Sequence, residues 1–373
     1  MTEKRRRPTI STHPIPTTNA GTIELHVFEP PFPEIADTST TTAPNNNDHS
    51  THTTNNHHAG ENHIQGTIIT VHPWSTLGGG EHNTIGLARH ISSSSKWRVI
   101  TFTMKSLSSW QGGAVWGICS KHTYEVQQIV DVVLWTIQQY SSGTTTTNEN
   151  NNDVAKEDYL ASEGKITKQR ANETPIVLLG SSAGAPMAGS AMAQILKHHP
   201  RKEQQTTGAR NTNAIISAFI AVGYTFGKFA SLGFGRHFSS VVETRSSNYS
   251  YSSMLLSSIC GTSSSTSAAA AVEEKSYSPH KLFIMGENDE FTTVDQLERM
   301  ASKMRQHNVV HGTKCGNASS KDSDSDVGSS ARIDVEVVPN VGHFELESSS
   351  YDSIVSNLVM DWLAMIFENH SAT

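Results

Sequence analysis

Cysteine is scarce: Cys119, Cys260 and Cys315 are the three in 373 residues, and no two of them stand at a metal-ligand spacing. An odd, scattered set supplies no disulfide framework and fits a reducing compartment. Long apolar runs are missing too. The longest, 129–137 and 214–222, are each about nine residues, half of the roughly 18 needed to cross a membrane as a helix. A soluble chain with no membrane span is therefore expected. Basic charge is not in excess: 28 Lys+Arg stand against 35 Asp+Glu, a formal charge of −7. Without a basic stripe, no nucleic-acid partner is expected. The cluster Lys4, Arg5, Arg6 and Arg7 has no apolar stretch behind it, so no secretory signal is expected. A cytoplasmic location follows, with that cluster leaving a nuclear or organellar address open.

Apolar residues are also few, at 35%, where globular domains usually have roughly 45–50%. The shortfall is local. Ser, Thr, Asn and His crowd into 38–63, 141–152, 257–271 and 319–330, and the stretches between read as packed protein. The expected organisation is a disordered tail over 1–21, one domain over 22–368 and a short tail over 369–373. Low-complexity inserts interrupt that domain at about 36–63, 141–172, 202–213, 239–275 and 312–331.

Residues 22–28 alternate apolar Ile23, Leu25 and Val27 with polar partners, as a half-buried opening strand does. Six short apolar runs follow, at 67–71, 97–104, 175–179, 214–222, 281–285 and 333–338. They are separated by helical spacing at 83–91, 122–140, 185–198, 294–304 and 351–367. Apolar strands alternating with helices predict an α/β fold whose mainly parallel sheet is covered on both faces. The helix-to-strand inserts then lie opposite the strand C-termini, where ligands usually bind. The connection 223–279 leaves a strand C-terminus and is expected to include a small lid.

The informative segment is Gly180-Ser181-Ser182-Ala183-Gly184. A G-x-S-x-G pentapeptide arises by chance roughly once in four chains this rich in Gly and Ser. Here, however, the apolar strand 175–179 runs into it and a helix of small residues runs out, the setting of a nucleophile elbow. Gly180 and Gly184 provide the lack of bulk that such a turn needs, and Ser182 sits at its apex. A serine hydroxyl needs a base, and that base needs a carboxylate to orient it. The chain order expected on this sheet is Ser, acid, His. The loop after 281–285 carries Glu287, Asp289 and Glu290, of which Asp289 is favoured because it lies about four residues past the strand. His343 follows the last strand. A lone loop histidine is ordinarily a surface residue, but an ordered set of three, each past a strand, points to a site. Oxyanion donors are expected from the backbone N–H of Ala183 and of Trp74, since Pro73 has none to give.

These residues resemble the α/β-hydrolase fold superfamily, and more closely a poorly characterised plant and algal branch of it. The similar segments are HPWSTLGG at 72–79, GSSAGAPMAGSA at 180–191, GYTFG at 223–227, FGRH at 234–237, DEFT at 289–292 and GHF at 342–344. The resemblance implies a sheet of about eight mostly parallel strands and a triad of Ser182, Asp289 and His343. No cofactor is expected. The resemblance implies no particular substrate, since members of this fold cleave several bond types, and a small-molecule ester, thioester or amide is expected. Where relatives carry an Asp-x-Arg-Gly turn, this chain has TMKS at 103–106. Arg236 and His237 fall in the segment similar to that branch's lid and would either bind an anionic substrate group or tie the lid down. His49, His52, His57, His58 and His63 are too irregularly spaced for a metal site, and none is expected. A serine hydrolase acting through an acyl-enzyme is the expected function, first on an ester or thioester and second on a short peptide or amide. A member of the fold that binds without catalysing is the rival from another class.

Removing residues 312–330 is expected to leave the rate of fluorophosphonate labelling at its full-length value, measured by gel fluorescence. A lost signal in a folded deletion variant would put that insert at the site.

Overall fold

A computed structural model of the protein describes residues 7–31, 64–73, 80–105, 123–140, 174–198, 216–226, 240–242, 278–312 and 331–367. Its strands are β1 (Thr9–Thr17), β2 (Gly21–Glu29), β3 (Gly66–Val71), β4 (Trp97–Phe102), β5 (Ile176–Ser181), β6 (Ile216–Val222), β7 (His280–Gly286) and β8 (Ile333–Val338). Its helices are α1 (His82–Ser94), α2 (Thr123–Tyr140), α3 (Gly184–His198), α4 (Val294–Gly312), α5 (His343–Leu346) and α6 (Asp352–Phe367). The strands form one sheet in the order β1-β2-β4-β3-β5-β6-β7-β8. β2 runs antiparallel to β1 and β4, and every pair from β4 to β8 is parallel. The chain thus has the expected eight-stranded, mostly parallel sheet.

All six residues of β3, of β4 and of β5 are buried. A central parallel strand has neither face in water, which is why these segments read as unbroken apolar runs. Successive side chains go to opposite layers. Ile69, Val71, Ile176 and Leu178 join α2, α3 and α4 on one face. Ile68, Val177 and Leu179 join α1 and α6 on the other, where Trp97 meets Phe367 with ring centroids 5.4 Å apart.

The expectation of a disordered tail over 1–21 is corrected, because Thr9–Thr17 is a strand in register with Gly21–Glu29. Its sequence hides it. Only Ile15 reaches the core, and Pro14 and Pro16 argue against a strand, yet an edge strand tolerates proline because one side needs no ladder donors. Tertiary contacts supply what the pattern lacks: the Thr18 N–H and hydroxyl both donate to the Asp131 carboxylate on α2, at 2.7 and 2.9 Å. The insert expected over 239–275 also needs trimming. Val241 is fully buried beside Gly189 and Val242 packs against the same core, so this short stretch is not part of a polar insert. Helix α4 continues to Gly312, past the expected end at 304. Most residues of the expected inserts, and most of the connection 223–279 that would hold the lid, lie outside the described residues. Among the described residues, no helix is long and apolar enough to cross a membrane.

If β1 is integral to the core, Ile15→Ala should cost about 2–4 kcal/mol, the usual range for truncating a buried isoleucine. Urea unfolding followed by circular dichroism would measure it, and a change below about 0.5 kcal/mol would return the segment to a peripheral role.

Candidate active site

Strand β5 ends at Ser181, and the chain turns at once into α3. At the apex Ser182 has φ 48°, a left-handed backbone that side chains other than glycine rarely adopt. Two hydrogen bonds hold it there. The Ser182 N–H donates to Val222 O of β6 at 2.8 Å, and the Ala185 N–H donates to Ser182 O at 3.0 Å. The flanking glycines are required by close approach. A Cβ at Gly184 would stand 2.4 Å from His72 O and 2.6 Å from Val71 O, and one at Gly180 would stand 2.3 Å from Ala185 Cα. Backbone cannot yield to such contacts, so β3, β5 and α3 pack at this distance only without side chains there.

The expected acid and base meet Ser182. The Ser182 hydroxyl lies 2.8 Å from His343 Nε2, and His343 Nδ1 lies 2.7 Å from Asp289 Oδ2. All three are buried, with the His343 and Asp289 side chains 1% and 0% exposed. The sequence left three acids open, and the structure gives each a different task. The Asp289 Oδ1 accepts the N–H groups of Phe291 and Thr292 at 2.8 and 2.9 Å, so its Oδ2 is aimed at the ring. Glu290 accepts the His343 backbone N–H at 3.1 Å, and Glu287 accepts the Asn340 N–H at 2.9 Å. Glu290 and Glu287 therefore hold the turn that carries His343, while Asp289 holds its ring. Phe291 closes the ring's edge, with centroids 4.7 Å apart.

Burial works against a charged imidazole at His343. The hydrogen bond and charge of Asp289 outweigh it, with help from Glu347 and Glu290, and the pKa stands above the ordinary histidine value. This arrangement lets a hydroxyl give its proton to Nε2 while the carboxylate balances the charge that forms.

Several supporting residues carry no sequence signal for their role. His72 accepts the Met104 N–H on Nε2 at 2.9 Å, which requires that nitrogen to be bare, and its Nδ1 donates to Pro73 O at 2.6 Å. Burial lowers its pKa, so it is a neutral strut between the ends of β3 and β4. Through the Met104 N–H it holds the segment that follows β4. Glu81, just before α1, accepts the hydroxyls of Thr101 and Thr103, each at 2.6 Å, and contacts His26 Nδ1 at 2.5 Å. Burial opposes its charge, but those hydrogen bonds hold its carboxyl below the usual range. The Thr292 hydroxyl donates to Tyr224 O at 2.7 Å and accepts the Phe226 N–H at 2.5 Å, joining the acid loop to the end of β6. Glu347 is the largest omission from the sequence reading. It stands four residues after His343, a spacing that marks one helical turn.

Ala183 is buried immediately before α3, next to Ser182. Trp74, Arg236 and His237 lie outside the described residues, as do His49, His52, His57, His58 and His63. Among the described residues, no group of three or more His, Cys, Asp or Glu is placed to hold a metal ion.

Comparison with known protein families and with curated proteins gives no match. Solved structures with similar coordinates include an alpha-beta serine hydrolase homologue from Coxiella burnetii, with 12% identity, 95% of this chain and 97% of that one covered, and a TM-score of 0.46. An esterase from Pyrobaculum calidifontis has 13% identity, 96% and 86% coverage, and a TM-score of 0.48. Carboxyl esterase 2 from the mycorrhizal fungus Tuber melanosporum has 9% identity, 96% and 86% coverage, and a TM-score of 0.48. At such identities activity does not pass from one chain to another, and the chemistry rests on this chain's own residues.

Gly184→Ala tests the packing at the elbow. The new Cβ would push on the β3 backbone, so the variant should lose about 1–3 kcal/mol of stability as an overpacked site does. Its fluorophosphonate labelling should fall further than that loss explains, measured on the folded fraction below the thermal transition.

Proposed function

We propose that the protein is a serine hydrolase that works through an acyl-enzyme. The observation that carries this reading is the unbroken contact from Asp289 through His343 to Ser182, at 2.7 and 2.8 Å, with the serine held at φ 48° above the sheet. In this mechanism the Ser182 oxygen attacks a carbonyl carbon as His343 Nε2 takes the hydroxyl proton. The carbonyl electron pair moves onto oxygen. When the tetrahedral species collapses, the bond to the leaving group breaks and His343 returns the proton to that group. Water then repeats the sequence in reverse, leaving the free acid and the serine hydroxyl. Asp289 orients His343 and offsets its transient charge.

The oxyanion would be held by the backbone N–H groups of Ala183 and Trp74. Ala183 is supported by its place directly after Ser182 and immediately before α3, where helix amides favour negative charge. A carboxylic ester or thioester is the proposed substrate class, because their leaving groups ask less of the general acid than an amide nitrogen does.

A fluorophosphonate probe should label the full-length chain, and Ser182→Ala should abolish the label. Asp289→Asn should lower kcat on p-nitrophenyl acetate by on the order of 10⁴-fold. Because the His343 pKa is raised and the base must be neutral, the rate should fall on the acid side of a limb displaced upward from the ordinary histidine value. Unchanged labelling in Ser182→Ala would sink the assignment, and a chain that takes no label would favour the non-catalytic rival.

A further inference from the structure

One carboxylate at this edge has no part in the triad. Glu347 follows α5, and its side chain is 8% exposed. Its Oε1 accepts the Ser181 hydroxyl at 3.0 Å and lies 3.9 Å from His343 Nε2, the nitrogen that faces Ser182. Asp289 approaches the ring from the other side, at Nδ1. Gly223 packs between: a Cβ there would lie 3.2 Å from His343 Cε1 and 3.6 Å from Glu347 Oε1, so no side chain from β6 separates ring and carboxylate.

Among the described residues, the charges that act on His343 are of one sign. Asp289 and Glu290 face it from the loop after β7, Glu347 from its own segment, and the neutral Ser181 and Ser182 from the β5 turn. Among the described residues, the arginine ion pairs lie elsewhere, between Arg98 and Glu29, Arg305 and Glu298, and Arg332 and Asp334. Among the described residues, the positive charge that forms nearest Glu347 is the imidazolium itself.

We propose that Glu347 is a positioning residue: held by Ser181 beside the proton-accepting face of His343, it stabilises the charge that His343 acquires when it takes the Ser182 proton. The proposal rests on the triad reading above and deepens it, since a second carboxylate then shares the work of Asp289 at the opposite nitrogen. The coupling is mutual. Burial raises the Glu347 carboxyl pKa, the His343 charge and the hydroxyls of Ser181 and Ser182 pull it back, and the Glu347 charge in turn raises His343. A negative charge makes the neighbouring ring a stronger base, so removing it lets the ring stay neutral to lower pH and weakens it as a proton acceptor.

The test is the pH profile of the fluorophosphonate labelling rate in the full-length chain, in Glu347→Gln and in Glu347→Asp. For unit charges about 4 Å apart at a partly shielded site, Glu347→Gln should move the acid limb down by roughly one pH unit. It should also lower the plateau rate several-fold, while Glu347→Asp, which keeps the charge, stays nearer the parent. A Glu347→Gln limb that superimposes on the parent's overturns the proposal, and so does a slower rate with an unmoved limb, the mark of a structural role alone. Should Glu347→Gln fail to fold by circular dichroism, Ser181→Ala replaces it: releasing the carboxylate should also lower the limb, and an unmoved limb overturns the proposal. If Ser182 in the parent takes no label, the triad reading falls instead. Nitrogen-15 NMR titration of His343 in parent and variant then decides Glu347, and an unshifted His343 overturns its role.

Discussion

At Ser182 the chain passes from β5 to α3 through a left-handed turn, and the packing on every side answers to that turn. A left-handed residue between strand and helix is tolerated only when its neighbours make room, and here the room is measured against backbone: Gly184 against the carbonyls of Val71 and His72, Gly180 against Ala185. The cost of that conformation is offset by burial of β3, β5 and α3, whose apolar residues are almost wholly removed from water. The serine is thereby fixed relative to the sheet rather than to a loop. Its hydroxyl can be met only by groups that leave the same edge.

Those groups are assembled by hydrogen bonds between strand ends. Thr292 ties the β7 loop to the segment after β6, Glu287 ties it to the turn after β8, and Glu290 takes the backbone N–H of the residue whose ring Asp289 orients. On the other side of the elbow, His72 and Glu81 join the ends of β3 and β4 and the start of α1. Buried polar atoms must be paired, and pairing them across different strands is what holds the site's geometry. His343 is left among carboxylates, an environment that favours its charged form despite burial.

Much of the fold was legible because its strands are buried on both faces. Runs such as Ile68–Ile69 and Val177-Leu178-Leu179 admit few other readings when helices alternate with them, and β8 falls at 333–338 as its pattern indicates. The first strand was hidden for the opposite reason. At an edge a strand needs few apolar residues and accepts proline, so Thr9–Thr17 looks like a tail until β2 pairs with it. Val241 was likewise lost in a polar stretch, since one buried valine carries no period.

Local pattern alone was enough for the central parallel strands, the elbow and the order of serine, acid and histidine: period, small residues beside a turn, position just past a strand. The favoured acid, Asp289, is the one that meets the ring, but the tasks of Glu287 and Glu290 and the approach of Glu347 to the histidine emerge only in three dimensions. Position along the chain ranks three neighbouring acids, but their tasks separate only when each carboxylate meets a particular N–H or ring nitrogen beyond another strand. Such meetings are set by distances across the fold, of which spacing along the chain holds no record.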